Sequence, residues 1–139
     1  MKSQQAEPYV EEEKKMSLNK IRLELARDHD FPDGSRERGY EVIAPLRTDG
    51  RIEHEQWKAH RDRCRVRRFW EGEDDEVGHL IRKPGGSWAF HYDLLGDPDD
   101  DESGYRFGDH VFRPGEYVSI KEHDDVLRTF RVVMVQPLA

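Results

Sequence analysis

The fold is decided by two stretches of the C-terminal third, Tyr117-Val-Ser-Ile-Lys-Glu122 and Leu127-Arg-Thr-Phe-Arg-Val-Val-Met-Val135. Both are rich in β-branched and aromatic residues over a length typical of strands. A turn sequence, His123-Asp-Asp125, separates them, and Tyr105 to Phe112 leads in with a third alternating segment. This is the most apolar block of a very polar chain, so we expect the core to be built on it.

Shorter segments upstream repeat the pattern, with about seven strands in all and frequent turns between them. Residues 53–60 are the best helix candidate, and Trp57 lies on its buried side, where the helix could plug a barrel end. Because no β-helix-β rhythm is present, we predict an all-β fold: a small closed or partly open antiparallel β-barrel with one short helix. A β-sandwich is the alternative. The upstream strand candidates are Leu18–Asp28, Gly39–Leu46, Arg63–Trp70, Val77–Arg82 and Trp88–Tyr92.

Composition limits the function classes. Of the 139 residues, 35% are hydrophobic and 38% are charged, a balance that often indicates disorder, but the strand patterning favours a small core with charged loops. The formal charge of −7 argues against general affinity for nucleic acids. A lone cysteine, Cys64, and the lack of a signal peptide or membrane-length apolar run lead us to expect a cytoplasmic protein. We predict a tail over residues 1–16 and a single barrel domain over residues 17–139.

Several short motifs resemble an uncharacterised family of small bacterial proteins, a domain of unknown function. The resemblance covers roughly residues 16–137 and consists mostly of turn and core residues, so it implies kinship and no particular activity. The motifs are Phe31-Pro-Asp-Gly-Ser, Gly39-Tyr-Glu-Val, Arg67-Arg-Phe-Trp, Gly86-Ser-Trp, Gly104-Tyr-Arg-Phe-Gly-Asp-His and Gly115-Glu-Tyr-Val-Ser-Ile.

Basic and aromatic residues are interleaved between residues 47 and 70, and they are the first candidate for a ligand-binding site. Arginine next to aromatic residues on a strand face is how small barrels hold single-stranded nucleic acid. The competing interpretation is that these arginines pair with the neighbouring acidic loops, and the acidic chain favours it. The candidate ligand-binding residues are Arg65, Arg67, Arg68, Trp57 and Trp70.

Metal binding is the second candidate. The acidic loop at residues 97–102 lacks the spacing of a calcium loop, and the seven histidines lack helical zinc-site spacing, so a solvated loop and scattered histidines are favoured. A site assembled from distant strands would use His79, His91 and His110, with Asp109 as a carboxylate ligand.

The hairpin from Val77 to Tyr92 decides whether two of those histidines meet. A two-residue turn would put His79 and His91 on opposite faces, whereas the three-residue turn Pro84-Gly-Gly86 would set them directly opposite each other. We predict the two-residue turn, because its register would bury more apolar side chains together. It places Val77 and Ile81 on the same face as the aromatic residues of the second strand.

No arrangement typical of nucleophilic catalysis is present. Gly86-Ser-Trp is not a nucleophile elbow, and Cys64 shares the strand parity of Val66 and Trp70, which predicts a core position. We therefore predict a non-enzymatic binding module with no cofactor, and we favour a protein ligand over nucleic acid. The alternative is a metal-binding protein or metal-dependent enzyme that uses histidines near His110.

Overall fold

Eight antiparallel strands close into a barrel in the part of the chain that the structure, a computed structural model, describes. That part is residues 18–93, 102–105 (main chain only), 107, 110–122 and 124–138. Each strand pairs with the next, and the first pairs with the last. The predicted all-β fold class is therefore confirmed, and the structure is the predicted barrel and not the alternative sandwich. The elements are β1 (Leu18–Leu25), β2 (Ser35–Pro45), α1 (His54–Ala59), a 3-10 turn (Arg61–Arg63), β3 (Arg65–Trp70), β4 (Glu76–Arg82), β5 (Trp88–Tyr92), β6 (Glu102–Tyr105), β7 (Tyr117–Lys121) and β8 (Leu127–Pro137).

Aromatic side chains fill the middle of the barrel. The Tyr40 ring lies 5.2 Å from Phe90 and 5.1 Å from Phe130, measured between ring centroids. Phe107 packs edge-on against Phe90 at 5.7 Å. These rings are fully buried, and such large apolar surfaces dominate the stability of a small core.

The two ends of the barrel differ. At the helix end, Glu53 caps α1 by accepting hydrogen bonds from the main-chain N–H groups of Glu55 and Gln56. Buried Trp57 donates from Nε1 to the Leu80 carbonyl at 2.9 Å and packs edge-on against Trp88. At the other end, here called the loop end, the β1–β2, β3–β4 and β7–β8 connections meet.

The predicted register of the β4–β5 hairpin was wrong. Pairing of Arg82 with Trp88, and of Lys83 N–H with the Ser87 carbonyl, leaves the three-residue turn Pro84-Gly-Gly86. His79 therefore lies directly opposite His91. Val77, which the two-residue turn would have buried, is 47% exposed.

Steric fit explains this register better than a count of apolar residues. Gly78 lies opposite Tyr92, and a Cβ at Gly78 would come within 2.0 Å of the His91 carbonyl oxygen. At Tyr92, β5 with its bulky rings thus faces a glycine of β4, which carries no side chain. Gly85 and Gly86 both adopt positive φ, which lets the three-residue turn close.

The lead-in strand was also placed incorrectly. A strand was predicted from Tyr105 to Phe112, but β6 spans Glu102–Tyr105. Phe107 and Phe112 instead turn their rings into the core and pack against each other at 5.4 Å. Among the described residues, none of the helices has the length and apolar character needed to cross a membrane.

Candidate ligand-binding site

Arg65 and Arg67 lie on the outer face of β3 and are already engaged. Arg65 pairs with Asp93 at 3.1 Å, and Arg67 pairs with Asp75 at 2.7 Å and Glu41 at 3.0 Å. Burial raises the pKa of Glu41, but hydrogen bonds from Arg67 and Arg22 outweigh it and hold that pKa below its ordinary value. Both arginines are thus paired with carboxylates, although of these partners only Asp75 belongs to a neighbouring acidic loop.

The other predicted ligand-binding residues, Arg68, Trp57 and Trp70, do not extend this outer face. Arg68 points into the barrel at the loop end, with its guanidinium 4.3 Å from the centre of the Trp70 ring. Trp57 lies at the opposite end beside Trp88. The five predicted residues therefore do not form one arginine-aromatic surface, and only Arg68 and Trp70 come together.

Arg68 belongs to a buried ionic cluster that sequence reasoning missed. Glu122, only 3% exposed, accepts hydrogen bonds from Tyr40 Oη at 2.5 Å and Arg128 Nε at 3.2 Å. Arg68 Nε lies 3.5 Å from the same carboxylate. A buried carboxylate between two guanidiniums and a phenol is well compensated, as a charge inside a core must be.

The strand alternation contained the signal for this cluster. Arg68 shares parity with Val66, Glu122 with Ile120 and Val118, and Arg128 with Phe130, all of which are buried. The same alternation correctly predicted that Cys64 points inward. Burial raises the pKa of the Cys64 thiol to about 12, so the thiol stays protonated and unreactive in the folded protein.

The cluster holds down the β1–β2 loop, residues 26–34. Arg128 donates to Asp28 at 2.8 Å and to Asp30 at 3.2 Å, and both carboxylates belong to this loop. Phe31 packs edge-on against Trp70 at 6.2 Å, and the Arg38 guanidinium lies 4.3 Å above the Phe31 ring. The loop is thereby fixed across the loop end.

A cleft of about 600 Å³ lies beside this loop, and we call it the arginine cleft. Its walls are residues 24–27 at the end of β1, residues 33–38 at the start of β2, and the exposed side chains of Tyr117 and Arg131 on β7 and β8. β1 lies between β2 and β8, so the cleft crosses the outside of three adjacent strands and reaches a fourth.

Three arginines of the cleft, Arg27, Arg36 and Arg131, have no side-chain hydrogen bond or ion pair within the described residues. By contrast, Glu24 is neutralised by Arg22 at 2.9 Å, and Arg38 by Glu71 at 3.3 Å. A guanidinium has five N–H donors and no acceptor, so these three groups offer donors to a ligand. Tyr117, 55% exposed, adds an aromatic surface with a hydroxyl group.

The cleft also contains two carboxylates, Asp33 and Glu37. Among the described residues, the charges of the cleft that lack an ion-pair partner are therefore three positive and two negative, a local excess of one positive charge on a chain of net charge −7. This mixed surface differs from the uniformly basic stripe that binds nucleic acid.

The histidine candidates are brought together only in part. His79 lies opposite His91 on the outer face and contacts Asp93 through Nδ1 at 3.0 Å. His110 packs against the core ring of Phe107, and Asp109 lies outside the described residues, as does the acidic loop at 97–101. Within the described part of the chain, no group of three His, Cys, Asp or Glu side chains could hold a metal ion.

Comparison with known proteins found no match among family models, curated proteins or solved structures.

Proposed function

We propose that the protein is a non-enzymatic binding module and that it takes a protein ligand at the arginine cleft. The observation that carries the proposal is the convergence on one cleft of an exposed tyrosine and three arginines that have no side-chain partner among the described residues. Arginine and tyrosine are among the residues enriched at protein interfaces and at their energetically important positions.

Charge favours a protein over nucleic acid. A phosphate backbone is attracted by a concentrated positive field, whereas this cleft mixes arginines with Asp33 and Glu37. A protein segment can place its own carboxylates on the arginines and avoid the two acidic side chains. The guanidinium group forms paired hydrogen bonds with carboxylates, so the ligand should carry Asp or Glu.

Binding of a fluorescein-labelled, glutamate-rich peptide with one central tryptophan tests the proposal. Anisotropy should increase on titration with the protein, and Arg36→Glu combined with Arg131→Glu should weaken the Kd at least about tenfold, or about 1.4 kcal/mol. Arg63→Glu is the matched control, because Arg63 is also exposed and lies beyond α1 near the helix end.

Two results would contradict the proposal. The first is peptide binding that responds equally to the cleft variant and to Arg63→Glu, which would indicate nonspecific attraction. The second is tighter binding of a single-stranded oligonucleotide that the cleft variant abolishes, which would put nucleic acid in place of protein.

A further inference from the structure

The arginine cleft exists because β2 bows away from β1. Glu24 pairs with Gly39, but the next residue of β1, Leu25, pairs with Ser35. Residues 36–38 of β2 are thus skipped by β1, and we call this segment the bow. Pairing of β2 with β3 begins only at Arg38, so residues 36 and 37 have no strand partner on either side within the described chain.

Two glycines fix the ends of the bow against β1. A Cβ at Gly34 would lie 2.6 Å from the Leu25 carbonyl oxygen, and one at Gly39 would lie 1.9 Å from the Leu23 carbonyl oxygen. At both points the backbones approach so closely that a side chain does not fit. The outward course of residues 36–38 is therefore held by close contacts on each side of it.

Two main-chain groups of the bow are satisfied by side chains instead of a neighbouring strand. The Arg36 carbonyl accepts a hydrogen bond from Arg22 Nη2 at 3.2 Å, and the Glu37 N–H donates to Ser35 Oγ at 3.2 Å. Both distances are at the long end of the usual range, and both bonds are exposed to solvent. The two groups belong to the same trans peptide unit and point to opposite sides of the segment, so an added strand could replace one of these bonds at little cost.

From this geometry we infer that the ligand enters the arginine cleft as an extended segment and adds to the bow as a strand. The inference rests on the proposed function and adds the mode of binding. Main-chain hydrogen bonds to the N–H and C=O groups on the open side of the bow would supply affinity independent of sequence, as in other cases of strand addition. Arg27, Arg36 and Arg131 would select segments whose side chains carry carboxylates.

The decisive experiment compares the glutamate-rich peptide with versions that are N-methylated at one main-chain amide each. Successive residues of a strand direct their N–H groups to opposite sides, so only methylation at alternate positions blocks pairing with the bow. We expect Kd to weaken about tenfold at positions of one parity, and to change less than about twofold at the other, on a scale where tenfold is about 1.4 kcal/mol.

Hydrogen exchange measured on the protein gives an independent readout. Residues 36 and 37 have no strand partner within the described chain, and whichever of their two amide protons faces the added strand should exchange more slowly in the complex, because strand pairing shields the N–H groups on one side. The amides of the β4–β5 turn at the helix end serve as the reference and should not change.

Failures of the two proposals are distinguishable. If the unmodified peptide binds in an arginine-dependent way but methylation shows no alternation and the bow amides are unprotected, strand addition is wrong and the protein-binding cleft stands. If the unmodified peptide does not bind, the proposed function fails and strand addition fails with it.

Discussion

A single carboxylate organises the loop end of the barrel. Glu122 is held between Arg68, Arg128 and Tyr40, and Arg128 in turn ties down Asp28 of the β1–β2 loop. Buried ion pairs are poor sources of net stability, but removing one member leaves an uncompensated charge. The cluster therefore fixes the position of the loop that walls the arginine cleft. Removing a charge from the cluster should also alter the cleft.

At this scale we predict that Glu122→Gln, which keeps the shape and removes the charge, lowers the free energy of unfolding by about 3–5 kcal/mol. Urea denaturation measures the change. The matched control is Glu71→Gln, because Glu71 also pairs with an arginine, Arg38, but its side chain is 60% exposed. Surface pairs contribute about 1 kcal/mol or less, so equal losses in the two variants would show that Glu122 is not an essential partner.

At the scale of strands, alternation and turn residues were enough to predict the barrel. The bounds predicted for β5 and the first residue of β1 agree with the structure, because strong β-formers lie next to clear turn sequences. Alternation also pointed to the inward parity of Arg68, Glu122 and Arg128. Alternation alone does not predict their burial, because charged residues are rarely buried without partners and the partners lie on other strands.

The β4–β5 register and the arginine cleft could not be predicted from the sequence, for a different reason. The β4–β5 register depends on how Tyr92 fits against Gly78, which is a property of two packed backbones and not of a hydrophobic pattern. The bow arises likewise from the contacts of Gly34 and Gly39 with β1. An isolated glycine in a strand pattern is the one sequence signal that another backbone approaches closely. It does not identify which neighbouring strand that backbone belongs to.

Gly78→Ala tests the importance of this fit. Because the added methyl group would have to displace the His91 carbonyl and the β5 backbone, we predict a loss of about 3 kcal/mol, the upper end of the range for overpacking. Gly85→Ala is the control, since a Cβ there meets no atom within 4 Å and only the positive φ opposes it, at about 1 kcal/mol. A loss for Gly78→Ala no larger than for Gly85→Ala would mean that the hairpin adjusts its register freely.

At the scale of the whole molecule, we predict that residues 1–16 are dispensable for folding. They form a charged segment with Glu11-Glu-Glu13 and Lys14-Lys15, without a pattern that could bury enough apolar surface to offset the entropy of ordering. A variant that lacks residues 1–16 should melt within about 2 °C of the full chain, a shift that corresponds to well under 1 kcal/mol for a domain of this size. Differential scanning calorimetry measures this shift, and a fall of several degrees would show that the segment is docked.

Closure of the barrel by β1 and β8 has a consequence for how the protein is made. Asn19 pairs with Pro137, so β1 leaves the ribosome well before β8 and has to wait for it before gaining its second neighbour. Contacts so distant along the chain slow folding, and in the meantime β1 presents an unpaired edge on which a second nascent chain could assemble. Arg22, Glu24 and Lys20 on the outward face of that strand place charges along this temporary edge, which discourages such pairing during synthesis.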